Sequence, residues 1–384
     1  MKYLMIVLLS LYLFGSDDEK LILLAYESGL KPVPKSLESL RYHLNDDLDL
    51  AKIALGKKLF FDKNLSLKRD INCATCHSFD KGGVDGLSSA VGHLNQENPF
   101  HLNAPTVFNT AFSKKLFWDG RSDSLQDQAK GPLQAPFEMS ITPRLAEQRV
   151  RENHKYPPLF QKAYGSADIT FETIADAIAS YEKTLLTRGR YDDFLLGDVN
   201  ALNQSEKAGL ELFITKGCAG CHNGRGLGGQ AMRKFPLSNH KIWSMSNPKI
   251  IGELITRYQK RLKLSEHDHK LLQEGFFQKT DSDRCTTCHI DDGIEVKKEL
   301  IKMVAFPFEN RGGFLGASNR YFRVPLLRNV VKTKPYFHNG SVEKLEDAIR
   351  IMGIYQLRTE LTDEEVKKIV DFFRAVDGDL VKYL

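Results

Sequence analysis

Cys73-Ala74-Thr75-Cys76-His77 decides how this chain is read. Two thiols spaced C-x-x-C, with histidine directly after the second, form the attachment signature of a c-type haem. The thiols add across the two vinyl groups of the porphyrin, and the short loop leaves the adjacent imidazole facing the iron. The pattern returns as Cys218-Ala219-Gly220-Cys221-His222 and as Cys285-Thr286-Thr287-Cys288-His289, and the three motifs use all 6 cysteines. None remains for a disulfide or a thiol nucleophile. A zinc ribbon also uses paired C-x-x-C motifs. It does not require histidine immediately after each second cysteine, and here that holds in every motif.

The 384 residues suffice for two or three domains with their own cores. An apolar content of 42% with 27% charged residues is that of a soluble globular protein. The formal charge of +5 counts protein groups only. Two propionates on each haem would offset it, so charge gives no reason to expect a nucleic-acid or membrane partner. Residues 1–16 read as a secretory signal peptide: Lys2 supplies the positive start, Tyr3 to Phe14 the apolar run, and Gly15-Ser16 the small residues near a cleavage site. The run is short for a membrane-spanning helix. Export to the periplasm is the expectation, with an uncleaved N-terminal membrane anchor as the alternative.

Strand-like alternation is scarce and the long periodic segments are helical. Leu48 to Phe60 carries Leu50, Ile53, Leu59 and Phe60 near helical spacing. Thr170 can cap a helix with Ile174, Ile178, Tyr181 and Leu185 on one face. Asn203-x-x-Glu206 and Thr362-x-x-Glu365 read as capping boxes, the second opening a helix with Val366, Ile369, Val370 and Phe373 inward and closed near Gly378. A faint repeat supplies the plan. Gly56 to Phe60 precedes the first haem motif and Gly82-Gly83 follows it; Gly209 to Phe213 precedes the second and Gly228-Gly229 follows. The expected fold is all-α, two cytochrome-c-like domains in tandem: 17–190 and 191–384, with the break near Arg188 to Asp198. Residues 240–305 read as a helical insertion into the second domain. It contains a basic amphipathic stretch, Ile250 to Leu272, whose plain reading is a solvated face, and then the third motif.

A haem that only carries electrons takes two strong axial ligands, whereas one that activates peroxide needs an openable face. The residues opposite each proximal histidine therefore decide function. Between the first two motifs, Leu116-Phe117-Trp118-Asp119-Gly120-Arg121, Ser124-Leu125, Gln128-Ala129, Gly131-Pro132 and Glu138-Met139 resemble the central signature of bacterial dihaem cytochrome c peroxidases. The resemblance extends to Leu55-Gly56-Lys57 with Leu59-Phe60-Phe61-Asp62, and to Asn103-Ala104-Pro105-Thr106. It continues through Val324 to Val330 and through Pro335-Tyr336-Phe337-His338-Asn339-Gly340-Ser341. It covers most of the chain outside 1–20 and 240–305.

That resemblance implies the following. The first haem is the peroxidatic one, held by Cys73, Cys76 and His77. His93, sixteen residues after His77, is its displaceable distal ligand, where a lone loop histidine would otherwise read as a surface residue. Gly82, Gly83, Gly86 and Gly92 would permit the loop to move. Glu138 is the acid–base group, assisted by the amide of Gln128; its plain reading, a surface acid, sits badly with the apolar run Ala135 to Met139. Trp118 lies between the haems, a role compatible with simple core burial. The second haem, on Cys218, Cys221 and His222, transfers electrons with Met352 as its other ligand, although Met on an apolar helix is ordinarily core filler. Tyr355 is close by, and in related maturation enzymes that modify tryptophans of a partner protein a tyrosine replaces that methionine. The family also binds Ca2+, for which Asn103, Thr333 and Pro335 stand at matching positions.

The third motif departs from the family. Cys285, Cys288 and His289 imply a third haem c, an additional electron entry point, with His240, His267, His269 and Met303 open as its second ligand. The expected activity is reduction of H2O2 to water with electrons from a small c-type cytochrome or a cupredoxin. The alternatives are a multihaem electron-transfer cytochrome and the tryptophan-modifying enzyme. Monomer or homodimer is left open.

Overall fold

The computed structural model describes residues 16–235 and 321–383. The expected signal peptide up to residue 15, the insertion 240–305 and every residue of the third motif with its candidate ligands lie outside the described residues.

In chain order the elements are α1 (Asp17–Glu27), α2 (Leu37–Leu44), α3 (Leu50–Phe60), the single turn α4 (Cys73–Cys76), α5 (Leu125–Gln134), α6 (Pro143–Glu152), α7 (Pro157–Tyr164) and α8 (Phe171–Glu182). They continue with β1 (Thr187–Arg188), α9 (Arg190–Leu195), α10 (Gln204–Thr215), β2 (Met232–Lys234), β3 (Tyr321–Arg323), α11 (Leu345–Met352), α12 (Asp363–Val376) and β4 (Asp379–Leu380). The strands form two short antiparallel pairs, β1 with β4 and β2 with β3, so the described chain is helical in substance. No helix among the described residues is long and apolar enough to cross a membrane.

The capping signals act as written. Asn203 and Glu206 close a reciprocal box at the start of α10, and Thr362 and Glu365 do so at α12. Val366, Ile369, Val370 and Phe373 are all buried. On α3, Ile53, Leu59 and Phe60 are buried but Leu50 is 49% exposed, because the first helical position precedes the contact with α8. Thr170 caps α8, which ends at Glu182; Leu185 is buried just beyond it.

Two cores result. One gathers α2, α3, α5 to α8 and the first haem motif; the other gathers α9, α10, α12 and the second motif. The termini cross over. Ala25 and Leu30, in and just after α1, are buried in the second core, which corrects the expected grouping of residue 17 onward with the first. At the other end, Val381 and Tyr383 pack on the first core, and the Tyr383 hydroxyl donates to the Pro34 carbonyl at 2.7 Å.

The repeated glycines explain themselves at the helix crossings. A Cβ on Gly56 would stand 1.7 Å from the Ala177 carbonyl oxygen on α8, and one on Gly209 would stand 1.9 Å from the Lys368 carbonyl oxygen on α12. Each core is thus built on one close crossing, α3 on α8 and α10 on α12. The leading helix α10 ends at Thr215, just short of Cys218, whereas the segment from Phe61 to Asn72 connects α3 to Cys73.

The expected break at 188–198 is a packed junction. Asp192 and Arg328 are both 0% exposed and pair through both guanidinium nitrogens, at 2.8 and 2.7 Å. Gly56→Ala and Gly209→Ala each force backbone apart at a crossing, and overpacking of this kind costs about 1–3 kcal/mol. Each variant should therefore unfold at lower urea concentration than the parent; an unshifted midpoint would mean the crossings are looser than described.

Candidate haem-binding sites

The first motif is held in shape from both ends. The Asn72 side chain caps the single turn Cys73–Cys76 by accepting from Thr75 N, and its amide donates to the Phe61 carbonyl at 2.8 Å. His77 Nδ1 then lies 3.1 Å from the Gly83 carbonyl. A carbonyl only accepts, so Nδ1 carries the proton and Nε2 is left as a bare lone pair. Gly83 reaches that position with φ +82°, where a Cβ would also meet Thr106 Oγ1 at 2.7 Å. The second motif repeats the device: His222 Nδ1 lies 3.2 Å from the Leu227 carbonyl. Burial pushes the His77 imidazole down and that of His222 down to about 4, which favours the neutral form that an iron would need. Four unbridged thiols and two neutral imidazoles with the tautomer fixed by a backbone carbonyl suit covalent haem with nitrogen ligation.

Two expected residues of the first site, His93 and Glu138, meet at one turn. His93 is buried; its backbone N–H donates to the Glu138 carbonyl at 2.9 Å and its Nε2 to the Pro136 carbonyl at 3.0 Å. Its Nδ1 is buried without a partner. Gly92 makes the approach feasible, since a Cβ there would lie 2.1 Å from the Phe137 carbonyl oxygen. Glu138 is half-buried, and desolvation raises its carboxyl above the usual range, with Arg121 pulling the other way. It is close enough to Cys76 to act on that thiol electrostatically, as is Asp85. Gln128 lies half-buried on α5, the helix that delivers the 135–138 turn.

The second motif opens on a cavity of about 1560 Å3, mouth included, lined by Cys218, Cys221, His222, Met352, Trp118 and His338. Met352 faces the cavity, while Tyr355 is buried in the adjoining core and does not line it. Trp118 donates from Nε1 to the Asn103 carbonyl at 2.8 Å, and its ring meets that of His338 edge-on at 6.4 Å. Asn103 in turn donates from its backbone to the His338 carbonyl at 2.8 Å, and its side-chain nitrogen lies 2.5 Å from the Pro335 carbonyl. The three expected calcium positions, Asn103, Thr333 and Pro335, share this cavity wall.

Sequence reasoning passed over three residues. His338 served only as a landmark for Met352, yet it is buried against Phe322 and desolvation pushes it down to about 3. Arg323 is buried on the cavity wall. Glu182 sits at the end of α8, one turn after Ile178 on the same apolar face, and that misplaced acid was the available signal. Its Oε2 has no partner, it acts electrostatically on Cys73, and burial pushes its carboxyl up to about 8.

An acid whose folded-state pKa is raised costs stability as it ionises. Stability is therefore full below the ordinary carboxylate range, falls as pH climbs to about 8, and is level above that. Glu182→Gln removes the penalty. Calorimetry should find the variant unfolding at higher temperature than the parent at pH 9 and at nearly the same temperature at pH 5. Equal melting at both values would place Glu182 in contact with water or a partner.

Comparison with known proteins agrees with this geometry. The family model for di-haem cytochrome c peroxidase matches residues 50–200. Cytochrome c551 peroxidase of Pseudomonas aeruginosa is 36% identical over 353 residues, covering 91% of this chain and 84% of that protein. Cytochrome c551 peroxidase of Nitrosomonas europaea is 33% identical over 353 residues, covering 92% and 87%. The crystal structure of a MauG-like protein associated with microbial copper homeostasis has the same fold, with a TM-score of 0.62 at 21% identity over 92% of this chain and 94% of that one. The chain belongs to the di-haem cytochrome c peroxidase family, and is with it a haem-c-dependent oxidoreductase of peroxidase type.

Proposed function

We propose that this protein reduces H2O2 to water at the first haem site, drawing electrons through the second haem site from a small c-type cytochrome or a cupredoxin. The observation that carries the reading is the joint seat of His93 and Glu138 on the 135–138 turn. Bound haem supplies the redox-active iron and the stored electrons. Conversion of H2O2 to two waters consumes two electrons and two protons. Glu138 takes a proton from one peroxide oxygen and returns it to the departing one, with the Gln128 amide orienting the substrate. A carboxyl raised above its ordinary range by burial suits a group that must both hold and release a proton. The His93 Nε2 is engaged by the Pro136 carbonyl, a bond that would have to break for that nitrogen to bind iron. That supports a distal ligand that comes and goes.

Met352 on the cavity wall, with Tyr355 behind it, favours the peroxidase over the tryptophan-modifying alternative. Asn103, Thr333 and Pro335 lie together on one wall, which supports a Ca2+ site there; the Asn103 amide would have to turn its oxygen, in place of the nitrogen now on the Pro335 carbonyl, toward the ion. Residues 1–16 support export to the periplasm. The two cores support one haem domain over about residues 33–190 and a second after it, which α1 joins from the N-terminal side. Cys285, Cys288 and His289 would attach a third haem c.

Steady-state reduction of H2O2 by a pre-reduced small cytochrome, with and without prior half-reduction of the enzyme, tests the proposal directly. Glu138→Gln is expected to lower turnover by about 10²–10⁴. Turnover unchanged in that variant would falsify the acid–base assignment.

A further inference from the structure

Among the described residues, Arg323 is the one guanidinium on the wall of the second-haem cavity that is buried, at 3% exposed. Its backbone N–H donates to the Trp118 carbonyl at 2.8 Å, and its Nε donates to the Phe117 carbonyl at 3.2 Å. Its Nη1 is buried with no acceptor. Among the described residues it has no ion-pair partner, in contrast to Arg328, which is equally buried but saturated by Asp192. A cation removed from water is retained where an anion meets it. The cavity it lines is the one bounded by Cys218, Cys221, His222 and Met352, and haem attached there would bring two carboxylates into a space whose other lining cation, Arg233, is exposed. A planar guanidinium fork matches a carboxylate through paired hydrogen bonds.

We propose that Arg323 is a positioning residue that anchors a propionate of the second haem and, by holding the backbone of Phe117 and Trp118, seats the tryptophan against that haem. The proposal rests on haem binding at Cys218 to His222. A fixed positive charge at the haem edge stabilises the reduced form, which carries one more negative charge. Arg323 thereby favours electrons on the second haem as well as orienting the route out of it.

Spectroelectrochemical titration of the full-length holoenzyme tests this, with haem occupancy at Cys218 and Cys221 read separately by mass spectrometry of the attached peptide. Absence of that haem from the parent protein would overturn the haem reading on its own. Arg323→Met is expected to lower the reduced-to-oxidised ratio of the second haem tenfold or more at fixed poise, leaving the first haem within twofold. Arg233→Met, at the exposed mouth, should change neither. Arg323→Lys keeps the charge and loses the fork, so it should recover most of the ratio while slowing electron transfer between the haems several-fold. This variant also decides the matter if Arg323→Met fails to mature. A second-haem ratio within twofold of the parent in Arg323→Met, or parental transfer kinetics in Arg323→Lys, overturns the proposal.

Discussion

The carboxylate of Asp192 receives four donors, and the junction between the cores depends on it. Arg328 contributes two, the backbone N–H of Val33 donates at 2.7 Å, and that of Gly189 donates at 3.0 Å. Arg328 also donates from Nε to the carbonyl of Arg225, inside the loop that runs from His222 to Leu227. One buried pair therefore ties together the segment leaving α1, the start of α9, the turn after β3 and the second haem loop. Such a pair adds little net stability against an apolar substitute, but loss of one partner leaves an uncompensated buried charge, at a cost of about 3–5 kcal/mol. Its value here is in fixing position. The loop it holds is the one whose Leu227 carbonyl orients the imidazole of His222, the proposed iron ligand.

Around that junction each half uses the same sequence of devices. A glycine lets two helices cross in backbone contact, a C-x-x-C-H turn follows the leading helix, and a carbonyl just downstream takes the Nδ1 proton of the histidine. The halves then meet through Asn103, Trp118 and His338. Asn103 holds the indole with its carbonyl and the His338 segment with its backbone N–H, so the tryptophan expected between the haems is fixed by both halves at once.

What was legible in the sequence was local. The first two haem motifs, the capping boxes at Asn203 and Thr362 and the paired glycines are patterns within a few residues, and each acts in the structure through neighbours in the chain or one crossing helix. The placement of α1 in the second core was not legible, because an apolar face does not say which core will receive it. Asp192 and Arg328, 136 residues apart, read as surface charges until packing buries them together. His93 and Glu138 came from family resemblance; their contact arises from two loops meeting where Gly92 leaves room, and no periodicity encodes that. Glu182 and Arg323 were missed for the same reason, since an isolated charge becomes informative only when its burial is known.

The buried charges divide by sign. Asp85, Glu138 and Glu182 surround the first motif, and burial raises all three carboxyls. Near the second lie a buried guanidinium, an imidazole held neutral and a thioether. Raised carboxyls hold protons close to their release point, whereas a fixed cation in an apolar wall stabilises an added electron without binding a proton. Peroxide reduction needs both, at different places: protons where the oxygen–oxygen bond breaks, and an electron reservoir that proton movements leave undisturbed. Two haem sites built from one repeated scaffold can be specialised in this way by a few buried charges, with the helices and loops that hold them left alike.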